Sequence, residues 1–376
     1  MKILVVGAGP AGLMFASQLK KIKQNWDIAI VEKNTMDEVI GWGVVLPGRA
    51  PQHPANPLSY LANDQEVDAQ YMNEFCFVHQ GEYAKASTGI TLCGIERRSL
   101  VGALRALCSD LLIPISYSSP LFDGEGLDTD AYDLIVIANG INNISNYFNE
   151  ALAPDVEFGK NRYMWYGTPK IFDSMNLIFK QTAHGVFIAH AYKYSRSMST
   201  FVVECSEETY HAAGIESLSA AEAKVFIANI FNIELDRQPV EAQPGLQWRN
   251  FVTLSHAKAY EGNLVLIGDA LQTGHFSIGH GTTMAVVAAQ MLVKALYEHA
   301  ELNSALEDFN EKVMPLMQLF SGHAHISRTW FETAAERMDL SVGELAKSFA
   351  ERREQLPPLP AALAQALGMA LLRKEY

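Results

Sequence analysis

The tightest constraint on this chain lies at its start, where the apolar segment Met1 to Val6 runs into Gly7-Ala8-Gly9-Pro10-Ala11-Gly12 and then into an amphipathic stretch from Leu13 towards Lys21. A short strand, a glycine turn and a helix, joined without a gap, make up the first half of a dinucleotide-binding βαβ unit. Gly7 permits the tight turn, Gly9 lets a pyrophosphate approach the main chain, and Gly12 lets the helix pack closely on the strand. Pro10 and Ala11 complete the cradle at the helix start, where free N–H groups and the helix dipole attract an anion. A second apolar strand, Asp27 to Val31, ends in Glu32, twenty residues beyond Gly12. An acid at that spacing suits two ribose hydroxyls and repels a 2′-phosphate, so the expected resident is FAD or NAD rather than NADP. Glu32 and the adjoining Lys33 are therefore candidate cofactor contacts.

The rest of the chain is long enough to build on this unit. Its 376 residues, 49% of them hydrophobic, support two or three domains' worth of folded core. With 29 basic against 42 acidic residues the net charge is −13, which argues against a nucleic-acid binder while leaving room for a local basic pocket. The four cysteines, Cys76, Cys93, Cys108 and Cys205, show no Cys-x-x-Cys spacing and fit buried small hydrophobes in a reduced compartment. No apolar run is long enough to span a bilayer, and the glycine fingerprint occupies the place of a signal-peptide cleavage region. A cytoplasmic protein with no membrane partner is expected, with a monomer as the working assumption.

Further along, Gly41-Trp42-Gly43-Val44-Val45-Leu46-Pro47-Gly48-Arg49 admits two readings. Either the glycines let a planar ligand approach and Arg49 faces a phosphate, or this is a surface loop anchored by one tryptophan. Short mixed strands are expected from Phe75 to Thr91. Helical spacing then resumes at Leu100, Leu104 and Leu107, which puts Arg97 at a helix start. A cation there is unfavourable without an anion, so Arg97 is a phosphate or flavin candidate and Arg98 a solvated side chain. Asp133 to Ala138 reads as a buried parallel strand ending in Asn139-Gly140, which places Asn139 at the carboxyl edge of the sheet, where open α/β folds bind ligands.

The middle third, with Tyr163 to Tyr166, Met175 to Phe179, Val186 to Tyr194 and Met198 to Cys205, reads as an antiparallel sheet. His190 and Tyr192 share one of its faces, as the wall of an apolar substrate site or as plain sheet core. Asn263 to Ala270 is a second strand ending in Gly268-Asp269. A glycine loop, Gly274 to Thr283, then feeds a helix from Met284. One pyrophosphate needs one such cradle. Two, at opposite ends of the chain, suit a long ligand whose ribityl chain and ring require their own contacts, and argue against a simple NAD dehydrogenase. Amphipathic helices follow from Leu302, broken at Pro357-Pro358; His323 and His325 lack a completing ligand, so no metal site is expected. The expected architecture is α/β. A discontinuous Rossmann-like FAD-binding domain covers 1–74, 95–150 and 262–300, an antiparallel substrate domain covers 75–94 and 151–261, and a helical segment covers 301–376.

Gly7-x-Gly9-x-x-Gly12, Asn139-Gly140 after a buried strand, and Gly268-Asp269 before a glycine loop resemble the FAD-dependent aromatic hydroxylases of the para-hydroxybenzoate hydroxylase fold. The resemblance spans nearly the whole chain. It implies that Asp269 holds the ribityl hydroxyls, that Gly279, His280, Gly281 and Thr282 approach the isoalloxazine, and that Arg97 touches the flavin. This chain departs from the family in having Asn139 for the usual aspartate, Phe276 for the usual loop proline and Gln272 for a usual histidine. More narrowly, Gly41 to Val45, Trp165 to Thr168, Gln52 to Pro57, Ala189 to Ser195 and Gly274 to Thr283 are similar to the members that act on aromatic rings carried by large, bis-indole substrates. That likeness implies hydroxylation at the indole 5-position with NADPH and O2, through a flavin C4a-hydroperoxide, in pigment biosynthesis. Such chemistry asks the protein for orientation, water exclusion and a hydrogen bond rather than for a catalytic triad. His275, His280, His190 and Tyr192 are the catalytic candidates, with Tyr163 and Trp165 beside them. No second Rossmann unit is visible, so the nicotinamide donor is expected to visit transiently. A hydroxylase of another large aromatic substrate, a flavin oxidoreductase without hydroxylation, and a flavin- or prenyl-lipid-binding protein stay open at this stage.

Overall fold

A computed structural model describes residues 1–47, 68–119, 128–141, 152–279 and 281–352. Arg49, the segment from Gln52 to Pro57, His280 and the Pro357-Pro358 break lie outside the described residues. In chain order the strands are β1 (Lys2–Val6), β2 (Asp27–Val31), β3 (Gly43–Pro47), β4 (Gln70–His79), β5 (Glu82–Glu96), β6 (Ile115–Ser116), β7 (Leu134–Ile137), β8 (Asp155–Thr168), β9 (Met175–Thr182), β10 (Gly185–Lys193), β11 (Ser199–Ser206), β12 (Arg249–Ser255), β13 (Tyr260–Glu261) and β14 (Leu264–Leu266). The helices are α1 (Pro10–Ile22), α2 (Arg97–Asp110), α3 (Glu207–Ala212), α4 (Ala220–Ile230), α5 (Gly281–Glu298), α6 (Leu302–Glu332) and α7 (Val342–Glu351).

Two sheets organise them. The first has the order β13-β14-β7-β1-β2-β6 and is parallel except at β13. Its strands β7 and β14 are apolar and buried throughout, as strands covered on both faces must be. From β1 the chain moves to β2 on one side and later returns to β7 on the other. The carboxyl end of β1 is therefore the switch point, where such sheets open a ligand crevice, and Gly7 sits there.

The second sheet runs β12-β8-β11-β10-β9-β4-β5-β3, antiparallel apart from the β4–β9 pair. It takes up segments expected in the first domain. Residues 43–47 pair with β5, Val44 opposite Ile95, and the strand from Gln70 belongs to a hairpin reaching Glu96, longer than the short strands expected. The reason is alternation. Val44 and Leu46 face the core of the first sheet, while Val45 faces a separate cluster with Met72 and Leu92.

Along β10, Phe187, Ala189 and Ala191 pack on one side with Ile227 and Phe231, whereas Ile188 joins Leu177, Phe179, Trp330 and Phe331 on the other. His190 and Tyr192 follow Ile188 by the two-residue period, so they do share a face. The C-terminal helices are not a separate body. The first half of α6 packs Leu306, Phe309 and Val313 into the first core, and its second half carries Trp330 and Phe331, with α7, onto the second sheet. One long helix thus bridges the two sheets.

Candidate active site and cofactor cleft

At the switch point, the three fingerprint glycines divide by what surrounds them. A Cβ on Gly7, whose φ is +114°, would lie 2.4 Å from the Ala138 carbonyl oxygen, and one on Gly12 would lie 2.1 Å from that of Gly7. At Gly9 nothing lies within 4 Å. Two glycines close the strand-to-helix packing and the third faces open space. Gly9 is the N-cap of α1, with no side-chain cap and no acid in the first turn, so the first N–H groups are left for an outside acceptor. Glu32 hangs from the end of β2; its Oε2 accepts from Ala8 N at 2.8 Å and its Oε1 from Asn34 N at 3.0 Å.

The far end of the chain arrives at the same place. A Cβ on Gly268 would be 2.8 Å from Ala11 Cβ and 3.5 Å from Ala285 Cβ, so the turn after β14 is wedged between the starts of α1 and α5. Next to it Asp269 is solvent-reachable although protein surrounds its carboxyl, the signature of a cleft floor. Burial pushes the Asp269 carboxyl up, with Arg97 pulling it partly back, and burial equally pulls the Arg97 guanidinium down. The pair therefore spans one cleft. Arg97 is the first residue of α2, whose N-cap Glu96 makes no side-chain cap, and Gly41 packs between it and the Trp165 ring. Asn139 is buried beneath the glycine turn. At the start of α5, the buried Thr283 hydroxyl has no hydrogen-bond partner among the described residues. The uncapped starts of α1 and α2, a tethered acid at one end and a carboxylate ringed by protein at the other fit a dinucleotide that is extended by a ribityl chain and a ring.

A cavity of about 190 Å³ opens beside this cleft. Its walls come from β10 and the neighbouring strands on one side and from α6 and α7 on the other, and the loop Phe276 to Gly279, just downstream of Asp269, closes one end. Val45, Leu92, Met175, Leu177, Phe320 and Phe349 make it largely apolar; His190, Tyr192, Ser277, Ser327 and Arg352 supply polar edges. Phe276, in place of the family's proline, sets its ring 5.1 Å from both His190 and Tyr163. Gln272, in place of the family's histidine, donates to the Met317 carbonyl at 2.6 Å and so ties the loop to α6.

The sequence candidates separate here. His190 and Tyr192 line the cavity. Tyr192 donates its hydroxyl to the Gly43 carbonyl at 2.9 Å, which fastens β3 to the cavity wall. His275 is buried behind Phe276, ring centroids 4.2 Å apart, and is not among the lining residues. Its Nδ1 is 2.7 Å from Ser277 Oγ, whose own oxygen meets Ser327 Oγ at 2.8 Å. Tyr163 accepts from Arg249, and Trp165 belongs to the cofactor side beside Gly41. Gly279 lines the cavity; Gly281 and Thr282 begin α5. His323 also reaches the cavity, and His325 lies 3.4 Å from Arg328.

One group went unnoticed in the sequence. Glu204 is fully buried in β11, its Oε1 2.6 Å from His190 Nε2 and its Oε2 accepting from Asn161 Nδ2 at 2.9 Å. Burial pushes this carboxyl up, but the hydrogen bonds from His190 and Asn161 and the proximity of His275 more than offset it, so Glu204 sits below the usual carboxylate range. The signal was available: a single acid inside the apolar run Phe201-Val202-Val203-Glu204-Cys205 needs a partner.

Burial also pulls the His275 imidazole down to about 4, against about 6.5 in an unfolded chain. Between these values the unfolded state binds the extra proton. The stability this neutral ring contributes is therefore complete above pH about 6.5 and is lost as pH falls towards 4, by up to about 3 kcal/mol. His275→Phe, among Phe251, Phe276 and Phe331, should flatten that limb of a urea-unfolding profile; an unchanged slope would show that other groups cause it.

No family model matches the chain. It is 56% identical over 373 residues to protodeoxyviolaceinate monooxygenase of Chromobacterium violaceum, covering 99% of this chain and 100% of that one. It is 28% identical over 344 residues to a salicyloyl-CoA 5-hydroxylase of Streptomyces sp, covering 88% of this chain and 65% of the relative. Among solved structures, p-nitrophenol 4-monooxygenase PnpA of Pseudomonas putida aligns with a TM-score of 0.74 at 16% identity over 98% of both chains. A tetrameric form of 2-methyl-3-hydroxypyridine-5-carboxylic acid oxygenase aligns at 0.72 and 18%, over 97% of this chain and 95% of that one.

Proposed function

Since the chain belongs to the FAD-dependent aromatic hydroxylases, by 56% identity to a monooxygenase over nearly its whole length, we propose that it hydroxylates the indole 5-position of protodeoxyviolaceinate, with NADPH and O2 as co-substrates, as a monomer in the cytoplasm. The observation that carries this reading is the continuity of the two sites. The loop that follows Asp269 and leads into α5 is also the end wall of the apolar cavity, so a flat aromatic ring there lies next to whatever the cleft holds. In this reading Gly9 and the start of α1 take the diphosphate of FAD, Glu32 the adenosine ribose, Asp269 the ribityl hydroxyls, and Arg97 a phosphate or ring oxygen. The chemistry the flavin supplies when bound is the reductive activation of O2.

The protein's own part is positional. Leu92, Leu177, Phe276 and Phe349 hold the substrate ring by apolar contact and keep water away from the reacting carbon. Arg352, stacked on Phe349 and donating to Ser327 Oγ at 3.3 Å, places a cation at the cavity edge where a carboxylate-bearing substrate can be oriented. Purified protein should be yellow and should consume NADPH faster with protodeoxyviolaceinate than without it, giving a product heavier by one oxygen atom. A product with no added oxygen, or oxygen incorporated equally well into unrelated aromatics, would overturn the substrate assignment. Failure of NADPH to reduce the bound flavin, with or without substrate, would assign reduction to a separate protein.

A further inference from the structure

Resting on that reading, we infer that His190, held by Glu204, is the acceptor for the N–H of the indole ring being hydroxylated, with Glu204 acting as its positioning residue. The geometry supplies the reason. Glu204 and Ile188 are paired across β10 and β11, and His190 is two residues beyond Ile188, so acid and imidazole lie diagonally on the face that looks towards the cavity. Glu204 accepts from Asn161 through one oxygen and meets His190 Nε2 through the other. A buried carboxylate in that position takes the hydrogen on Nε2. This fixes the tautomer, leaving Nδ1 as a bare acceptor with no hydrogen bond to the protein among the described residues. Phe276 and Phe331 pack against the ring, centroids 5.1 and 4.7 Å away, and prevent it from turning over.

A neutral acceptor of this kind matches what an indole needs. As a C–O bond forms at the 5-carbon, ring electrons move towards the new bond and positive charge reaches the carbon that bears the nitrogen. The N–H proton then passes to Nδ1, its bonding pair stays on nitrogen, and the ring is left neutral. The imidazolium so formed is stabilised by Glu204. As the product leaves and solvent reaches the ring, the hydrogen on the oxygenated carbon is lost as a proton to water, its electron pair restoring aromaticity, and the proton on Nδ1 returns to nitrogen, completing the hydroxyindole. The oxygen and reducing equivalents come from the monooxygenase reaction itself. The charged and polar groups facing the imidazole from the surrounding elements are Glu204 and Asn161 from the sheet and His275 from the loop, with Arg328 of α6 behind them.

The test is a cycle of enzyme variant against substrate methylation, run on FAD-loaded protein with protodeoxyviolaceinate and its analogue N-methylated on the reacting indole. Wild type should lose about 10²-fold in kcat on methylation, the range of one positioned base. His190→Phe should lose about as much on the natural substrate and then show less than a threefold further loss on methylation. His190→Gln, whose side-chain oxygen still accepts, should recover part of the rate. Glu204→Gln, which can turn its amide N–H towards Nε2 and so put the hydrogen on Nδ1, should behave like His190→Phe with KM little changed. Equal FAD content and thermal stability across the set show that folding is not the cause. Additive losses, in which methylation costs His190→Phe as much as wild type, would overturn the inference while leaving hydroxylation intact. A wild type inactive on both substrates would instead count against the substrate reading.

Discussion

Gly12→Val is expected to yield a chain that holds no FAD and retains less than about 1% of the hydroxylation rate. A Cβ at this position already lies 2.1 Å from the Gly7 carbonyl oxygen, 3.1 Å from Val5 Cγ1 and 3.3 Å from Ala138 Cβ. The nearest obstacle is backbone rather than a flexible side chain, so relief requires α1 to move off β1. Overpacking of this kind costs about 3 kcal/mol, and it displaces the N–H groups proposed to meet the diphosphate. Flavin absorbance per mole of purified protein measures the loss directly. Gly102→Ala is the matched control: it stands in α2 with nothing within 4 Å of its Cβ, and alanine favours the helix by about 1 kcal/mol. A Gly12→Val protein with a full complement of FAD would show that the cofactor does not use the start of α1.

The second large effect is at Asp269, where binding and stability should move in opposite directions. A charge-assisted hydrogen bond to a hydroxyl is worth about 1.5–3 kcal/mol, so Asp269→Asn should weaken FAD by roughly 10- to 100-fold. Without the cofactor the sign reverses. Because burial raises the Asp269 carboxyl in the folded chain, the folded state binds that proton more tightly than the unfolded one. The stability associated with the group is full below pH about 4 and is lost as pH rises through the folded value. At neutral pH the ionised carboxylate is a burden on the apoprotein, and the neutral amide removes it. Thermal melts should therefore show Asp269→Asn apoprotein at or above wild type, and a smaller rise on adding FAD. A variant that binds FAD within twofold of wild type would remove Asp269 from the cofactor site. The positively charged Arg97 across the cleft, itself disfavoured by burial, gives the same logic from the other side.

Both predictions fall on residues legible in the sequence, and for one reason. Glycine spacing, the strand before it, the helix after it and the acid twenty residues on are local patterns, and local patterns survive without knowledge of the fold. The same holds for β7, β10, β11 and the helix start at Arg97. What misled the reading of segments 43–47 and 70–74 was position in the chain: adjacent in sequence to the first domain, they are claimed by strand pairing with β5 and become part of the second sheet.

His275 shows the limit of a candidate chosen by neighbourhood. It lies beside the glycine loop in sequence, yet its ring is spent on capping Phe276 to Ile278 and on packing behind Phe276. His190, eighty-five residues earlier, reaches the cavity where His275 does not. Nothing local distinguishes the two.

By itself, then, the amino-acid order determined the glycine turn between β1 and α1, the two classes of sheet and the places of Glu32 and Asp269 just beyond strand ends, because each of those depends on hydrogen-bonding groups and side-chain periods within a few residues of one another. The tertiary structure alone decided the cavity and the His190–Glu204–Asn161 arrangement at its wall. Those arise from strand register, from a long α6 laid across both sheets, and from Phe276 folding back onto β10. Each is a contact between segments far apart in the chain, and its partner is chosen by how the cores pack.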